Sequence, residues 1–181
     1  MAGTSRGTMI LTRPPEFQPP ELLVAFDPGG HAGFAVFVRG RLVKCGHGKH
    51  HKFLAAPVWK YSKGGVFIVE RPRSYPGPKS KADPNDLMQT DFRAGEITQL
   101  YRMSGYSLEV VCPPNEWKGT IGKPEKGEQY EIERRVLDRL DDDERALLYQ
   151  SSSATSGSLD DNMIDAIGIG LWRLRRWRKK V

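Results

Sequence analysis

The sequence is short of the features that would take a chain out of the ordinary globular class. No run of 18 apolar residues occurs in its 181 residues, so no membrane-spanning helix is expected. Residues 1–20 lack the apolar segment of a secretory signal, so export is not expected either. Cysteine is nearly absent: Cys45 and Cys112 make neither a disulfide framework nor a zinc pattern, and the expected setting is a reducing cytoplasm. There is no internal repeat. Acid is scarce over one long stretch, since Arg39 to Lys81 holds eleven lysines and arginines and a single acid, Glu70.

What is present fits one domain. The composition is 38% hydrophobic and 28% charged, as in a globular chain with one substantial core. The formal charge of +6 is local. Residues 171–181 carry six cations and no acid, and 28 cations less these six leave 22 against 22 acids. The basic stretch around Glu70 suggests a surface for a polyanion. Residues 1–20, with four prolines and no periodicity, read as a flexible arm ahead of a domain spanning 21–181.

The domain is organised around Leu22 to Gly30. Five apolar residues suit a strand buried on both faces, and Asp27-Pro28-Gly29-Gly30 ends it. Gly33 to Val38 and Arg41 to Cys45 continue an antiparallel meander, and Gly46 to Lys63 reads as loop with a short irregular helix. Val66 to Val69 is a fourth strand and it also ends in an acid, Glu70. Asp83-Pro84 offers an N-cap and a first-turn proline for a helix to about Met103. A fifth strand covers Leu108 to Cys112, a loop Asn115 to Gly127, and a polar helix about Glu128 to Leu140. Ser151 to Ser158 is a linker, and a last helix starts at Asp160 or Asp161. The order implies one mixed sheet with helices on its faces.

Asp27 and Glu70, at the ends of two strands, would share one sheet edge if those strands are parallel neighbours. In the last helix Asp161 and Asp165 lie about 40° apart, and Asn162 about 60° from Asp165 on the other side. Gly168 and Gly170 cost helix propensity, which makes sense where the helix lies close against a sheet. Carboxylates gathered at one edge repel unless a cation offsets them. Hard oxygen donors suit Mg²⁺ or Mn²⁺, and two such ions can activate water and stabilise the leaving oxygen of a phosphodiester.

Four pieces carry a resemblance: residues 24–35 (Val-Ala-Phe-Asp-Pro-Gly-Gly-His-Ala-Gly-Phe-Ala), 66–70 (Val-Phe-Ile-Val-Glu), 113–119 (Pro-Pro-Asn-Glu-Trp-Lys-Gly) with 122–126 (Gly-Lys-Pro-Glu-Lys), and 165–172 (Asp-Ala-Ile-Gly-Ile-Gly-Leu-Trp). In this order they resemble the RuvC-type Holliday junction resolvases of the RNase H-like nuclease superfamily, over roughly residues 20–178, with a style closest to phage-encoded members. The resemblance implies an RNase H-like α/β fold: a mixed five-stranded sheet, three antiparallel strands then parallel ones, with helices on both faces. It implies a homodimer acting on four-way DNA junctions, two metal ions per site and no small-molecule cofactor. Paired hydrolysis would leave 5′-phosphate and 3′-hydroxyl ends. Asp27 matches the bridging aspartate, Glu70 the glutamate ending the fourth strand and Asp165 the last aspartate. Lys118 and Lys126 match two lysines near the scissile phosphate. The usual partner of the last aspartate lies three residues earlier, at Asn162, whereas the acid Asp161 lies four earlier; Asp161 is the expected ligand and Asn162 a neutral alternative.

Other residues carry weaker expectations. The loop after Glu70 offers Arg71, Arg73, Tyr75 and Lys79 to DNA. His47, His50 and His51 read as a solvated loop, Asp141 to Asp143 as a solvated helix end, and Trp172 and Trp177 as core. Rival readings are a nuclease for RNA–DNA hybrids or flaps, and a non-catalytic module for branched DNA.

Overall fold

A computed structural model describes residues 17–55, 65–71, 83–112, 114–121, 129–151 and 159–176. The first strand, β1 (Leu22–Asp27), lies at the centre of a five-stranded sheet, flanked by β2 (His31–Val38) and β4 (Val66–Glu70). β3 (Arg41–Lys49) and β5 (Ser107–Cys112) form the two edges, giving the order β3-β2-β1-β4-β5. β1 to β3 run antiparallel, and β1, β4 and β5 run parallel. A central strand covered on both faces has no polar side to show, which is why Leu22 to Phe26 is apolar without alternation. Arg39 and Gly40, with φ of 48° and 79°, form the tight β2–β3 hairpin.

β3 continues past Cys45 to Lys49, so the residues expected as loop include a strand. Its glycine has a packing reason. A Cβ at Gly46 would press into the Phe34 ring. A short α1 (His50–Ala55) follows. α2 (Pro84–Met103) begins as expected, with Asp83 accepting from the Asn85 amide at 2.8 Å, and Gly105 at φ 86° follows its end.

Two helices stand where no helix was expected. α3 (Pro114–Ile121) starts directly after β5, because proline in a first turn loses no hydrogen bond. α5 (Asp142–Ser151) grows from the supposed helix end at Asp141. There Asp141 Oδ1 accepts from the Glu144 amide at 3.0 Å and Glu144 Oε2 accepts from the Asp141 amide at 2.9 Å, a reciprocal capping box. α4 (Gln129–Leu137) and α6 (Asp161–Arg173) complete the fold.

Alternation along the strands divides the core. Val24, Phe26, Phe67 and Val69 pack with Ala94, Ile97 and Tyr101 of α2. Leu23, Ala25 and Ile68 face the other way, toward Trp117, Met163 and Ile167 of α3 and α6. Each such large side chain contributes about 1.5–3 kcal/mol by leaving water. Helices thus cover both sheet faces, and α6 is buried along nearly its whole length.

Close approach of α6 is bought by three glycines. A Cβ at Gly170 would strike Phe37 of β2, as expected for a helix lying on a sheet, whereas one at Gly168 would strike Trp117 of α3. A Cβ at Gly33 of β2 would strike the Asn162 backbone. After α6, Arg176 donates to Gly40 O (2.8 Å) and Arg139 O (2.7 Å) and makes two bonds, of 2.8 and 2.7 Å, to the buried Glu144 carboxylate. Glu144 Oε1 also accepts from the Leu42 amide at 2.7 Å. Part of the basic tail is therefore a structural clamp.

Phe17, within the stretch expected to be a flexible arm, lies beneath Arg173 and Arg175, 5.4 and 4.2 Å from its ring centre. The rest of the arm to residue 16, the 152–158 linker and Trp177 fall outside the described residues. Trp172 packs against the core, partly buried. Among the described residues, no helix is long and apolar enough to cross a membrane.

Candidate active site

Asp27 and Glu70 follow the last aligned pair of parallel strands, Phe26 and Val69, so both carboxylates leave the sheet at one edge. Alternation sends them to the face that Leu23, Ala25 and Ile68 also use, beneath α6. Asp165, in the second turn of α6, comes to the same place. Burial first, then the negative charges of Glu70 and Asp165, pushes the Asp27 carboxyl well above the usual range. Glu70 is pushed up by burial, against the Trp117 hydrogen bond and the Lys118 charge. Asp165 is likewise raised by burial, with Lys118 opposing.

α3 supplies two of the groups that hold this cluster. The indole Nε1 of Trp117 donates to Glu70 Oε2 at 2.6 Å, and Lys118 Nζ donates to Asp165 Oδ2 at 2.6 Å. Burial alone would lower the Lys118 ammonium; Asp165, Glu70 and Asp27 together raise it. Lys118 thus stands as the neutralising charge beside three crowded carboxylates. The Trp117 bond was not foreseen, although a buried tryptophan must find an acceptor for its N–H, and that requirement is readable in a sequence. Gly168 makes the room for this indole.

The structure separates the expected partners of Asp165. Asp161 is exposed, with Glu133 and Asp165 as electrostatic neighbours. Asn162 donates through its amide Nδ2 to Asp160 Oδ1 at 3.3 Å. Asp160, which the sequence reading considered only as a helix start, is the N-cap of α6, and its charge reaches Asp27. Among the expected DNA contacts, Arg71 is engaged by Asp91 through bonds of 2.7 and 3.2 Å. Arg73, Tyr75, Lys79 and Lys126 lie outside the described residues.

Two of the three histidines expected in a solvated loop are built into the fold. His50 is buried, with Nε2 3.1 Å from Glu96 Oε2. His47 lies on β3, paired with Gly33, and its Nδ1 is 3.2 Å from Asp160 Oδ2. His51, in α1, is exposed. The expectation failed because Gly46 and Gly48 look like loop residues when they are in fact strand positions under aromatic rings.

Chemically, Asp27, Glu70 and Asp165 present hard oxygen donors whose proton affinity is raised by crowding and burial. That donor set fits a hard divalent cation, which would relieve both.

No protein-family model matches the sequence, and no curated protein matches it. Solved structures do. Thermus thermophilus RuvC in complex with a Holliday junction substrate is similar at a TM-score of 0.52 and 17% identity, over 83% of this chain and 90% of that one. A second Thermus thermophilus RuvC structure gives 0.51 and 16%, over 83% and 91%. The chain therefore has a RuvC-like fold.

Proposed function

We propose that this chain is a metal-dependent endonuclease that resolves four-way DNA junctions as a homodimer. The observation carrying the reading is the convergence of Asp27, Glu70 and Asp165 from β1, β4 and α6 on one sheet edge, with Lys118 as their counter-charge. The RuvC-like fold, and the junction bound to one structure it resembles, support four-way DNA as the substrate class.

In this reading Asp27, Glu70 and Asp165 hold two Mg²⁺ ions, or Mn²⁺ in their place, with Asn162 or Asp161 as a further ligand. When bound, the ions supply an activated water and charge stabilisation for the leaving oxygen. Trp117 fixes the orientation of Glu70 through its N–H. Lys118 keeps a positive charge at the edge where the scissile phosphate arrives, and Lys126 adds a second. Arg71, Arg73, Tyr75 and Lys79 contact the DNA backbone, which requires Arg71 to exchange Asp91 for phosphate.

A four-way junction needs two symmetric cuts, and a two-fold dimer brings two sites. Met88, Phe92 and Met103 of α2 are exposed and lie within about 60° of one another around the helix, an apolar stripe suited to a second copy. In this reading the chain works in the cytoplasm, that of the bacterial host if it is phage-encoded.

The test is cleavage of a synthetic four-way junction beside an RNA–DNA hybrid, a flap and a plain duplex, with Mg²⁺ and with Mn²⁺. Paired nicks in the junction are expected, and none from Asp27→Asn, which should still bind. Full activity in Asp27→Asn would overturn the proposal; preference for hybrid or flap would move the substrate.

A further inference from the structure

On the same sheet face, across β2 from Asp27, stands a second group of metal-ligating side chains. Asp27 of β1 pairs with Gly33 of β2, and Gly33 with His47 of β3. His31 lies two residues before Gly33 and so points to the same face. Because Gly33 has no side chain, the first turn of α6 descends onto it and brings Asp160 against His31 and His47. Among the described residues, His31, His47 and Asp160 are the only group of three metal-ligating residues whose donor atoms all lie within 4.8 Å of one another.

We infer that His31, His47 and Asp160 form a binding site for a divalent transition metal of the Zn²⁺ class, distinct from the carboxylate site. The two oxygens of Asp160 divide their work. Oδ1 accepts from the Asn162 and Met163 amides at 3.1 and 3.2 Å, which caps the helix. Oδ2 is turned to the imidazoles, 3.2 Å from His47 Nδ1 and 3.6 Å from His31 Nδ1. Ligands about 2.0–2.1 Å from a tetrahedral zinc stand about 3.3 Å apart; the 3.2 Å spacing matches such an edge and the 3.6 Å spacing is slightly longer. His47 Nδ1 is buried and makes no hydrogen bond, although Asp160 is near. A buried nitrogen without a hydrogen bond, beside a carboxylate oxygen, is left available as a ligand to a cation that both atoms would share.

Two imidazoles and one carboxylate select a borderline ion over Mg²⁺, whereas the neighbouring all-carboxylate cluster prefers the hard one. Three protein ligands leave a fourth position for water. His31 is 48% exposed, which gives the ion an entry path from solvent. A bound ion would tie the starts of β2 and α6 to β3, and so brace the helix that carries Asp165. The inference stands whether or not the chain cuts DNA.

The experiment titrates metal-stripped full-length Asp27→Asn protein, in which the carboxylate cluster is weakened, with Zn²⁺ and with Co²⁺. One Zn²⁺ per chain, a raised melting temperature and the visible bands of tetrahedral Co²⁺ are expected. His31→Ala and His47→Ala, each in the Asp27→Asn background, should weaken Zn²⁺ more than about 100-fold, beyond the 10–100-fold that loss of an outer-shell partner costs. Asp160→Asn in that background keeps a good N-cap and should also weaken the metal, so it decides the case if a histidine variant misfolds. Absence of stoichiometric Zn²⁺ uptake in Asp27→Asn, or uptake unchanged by all three further substitutions, overturns the inference.

Discussion

Trp117 donates its indole N–H to Glu70 at 2.6 Å, which makes a core residue of α3 the holder of a carboxylate on β4. Trp117→Phe keeps most of the packing and removes this bond. A hydrogen bond to a charged group is worth about 1.5–3 kcal/mol, so junction nicking should fall about 10–100-fold. The Glu70 carboxyl should also rise further, shifting the rate-against-pH curve to higher pH. A Trp117→Phe variant with an unshifted curve would separate Trp117 from Glu70.

The carboxylate cluster should make the metal-free chain unstable at high pH. Burial and then mutual repulsion raise the Asp27 carboxyl above its unfolded value, and Glu70 and Asp165 are raised as well. The folded state therefore holds these protons more tightly. Stability from this source is complete below the ordinary carboxylate range and is lost as pH rises through the raised folded values. Melting in a chelator at pH 5 and pH 8 should show the loss in wild type and less of it in Asp27→Asn. At pH 8 that variant should melt higher, by about 2–4 °C for each kcal/mol recovered.

Glu144 behaves in the opposite sense. Burial would raise its carboxyl, but Arg176 and the Leu42 and Asp141 amides more than offset this and hold it below the usual range. Its contribution is present above the unfolded value and is lost as pH falls through the folded one. Arg176→Met leaves a buried carboxylate without its partner and should cost about 3–5 kcal/mol by denaturant unfolding. Arg176→Met with Glu144→Leu should cost less than the two single changes summed.

Glycines of the two helices should respond oppositely to alanine. Gly168→Ala drives a methyl into the Trp117 ring and should cost about 1–3 kcal/mol, with a loss of nicking beyond that of a merely destabilised chain. Gly95 in α2 is exposed, with open space where a Cβ would stand. Gly95→Ala should stabilise by about 0.5–1 kcal/mol in the same unfolding assay.

The strands that position the acids were legible because β1 and β4 are central: buried on both faces, they are written as unbroken apolar runs with a charge at the end. α2 was legible from its cap and its proline. β3 beyond Cys45 was not, since Gly46, which makes room for the Phe34 ring, resembles a glycine that makes a turn. α3 was hidden by a proline pair that closes a strand and opens a helix at once. At the candidate site, the meeting of Asp27, Glu70 and Asp165 was legible from their positions in their elements. Asp160 against Asp161 as the helix start is a choice of one residue, and only the Asp160 cap bonds show where α6 begins. His31 and His47 are joined by strand register, a long-range property that neither neighbourhood encodes.

Gly33 and Gly170 seat α6 directly on β2, so the helix that completes the acidic cluster also closes one face of the sheet. During synthesis, Asp27 and Glu70 leave the ribosome long before Asp165. A nascent chain that has not yet delivered α6 exposes an apolar sheet face and lacks a full set of ligands. Solubility and, under the proposed function, activity are thereby acquired in a single late event, and a truncated product lacking α6 should be aggregation-prone and should not nick DNA.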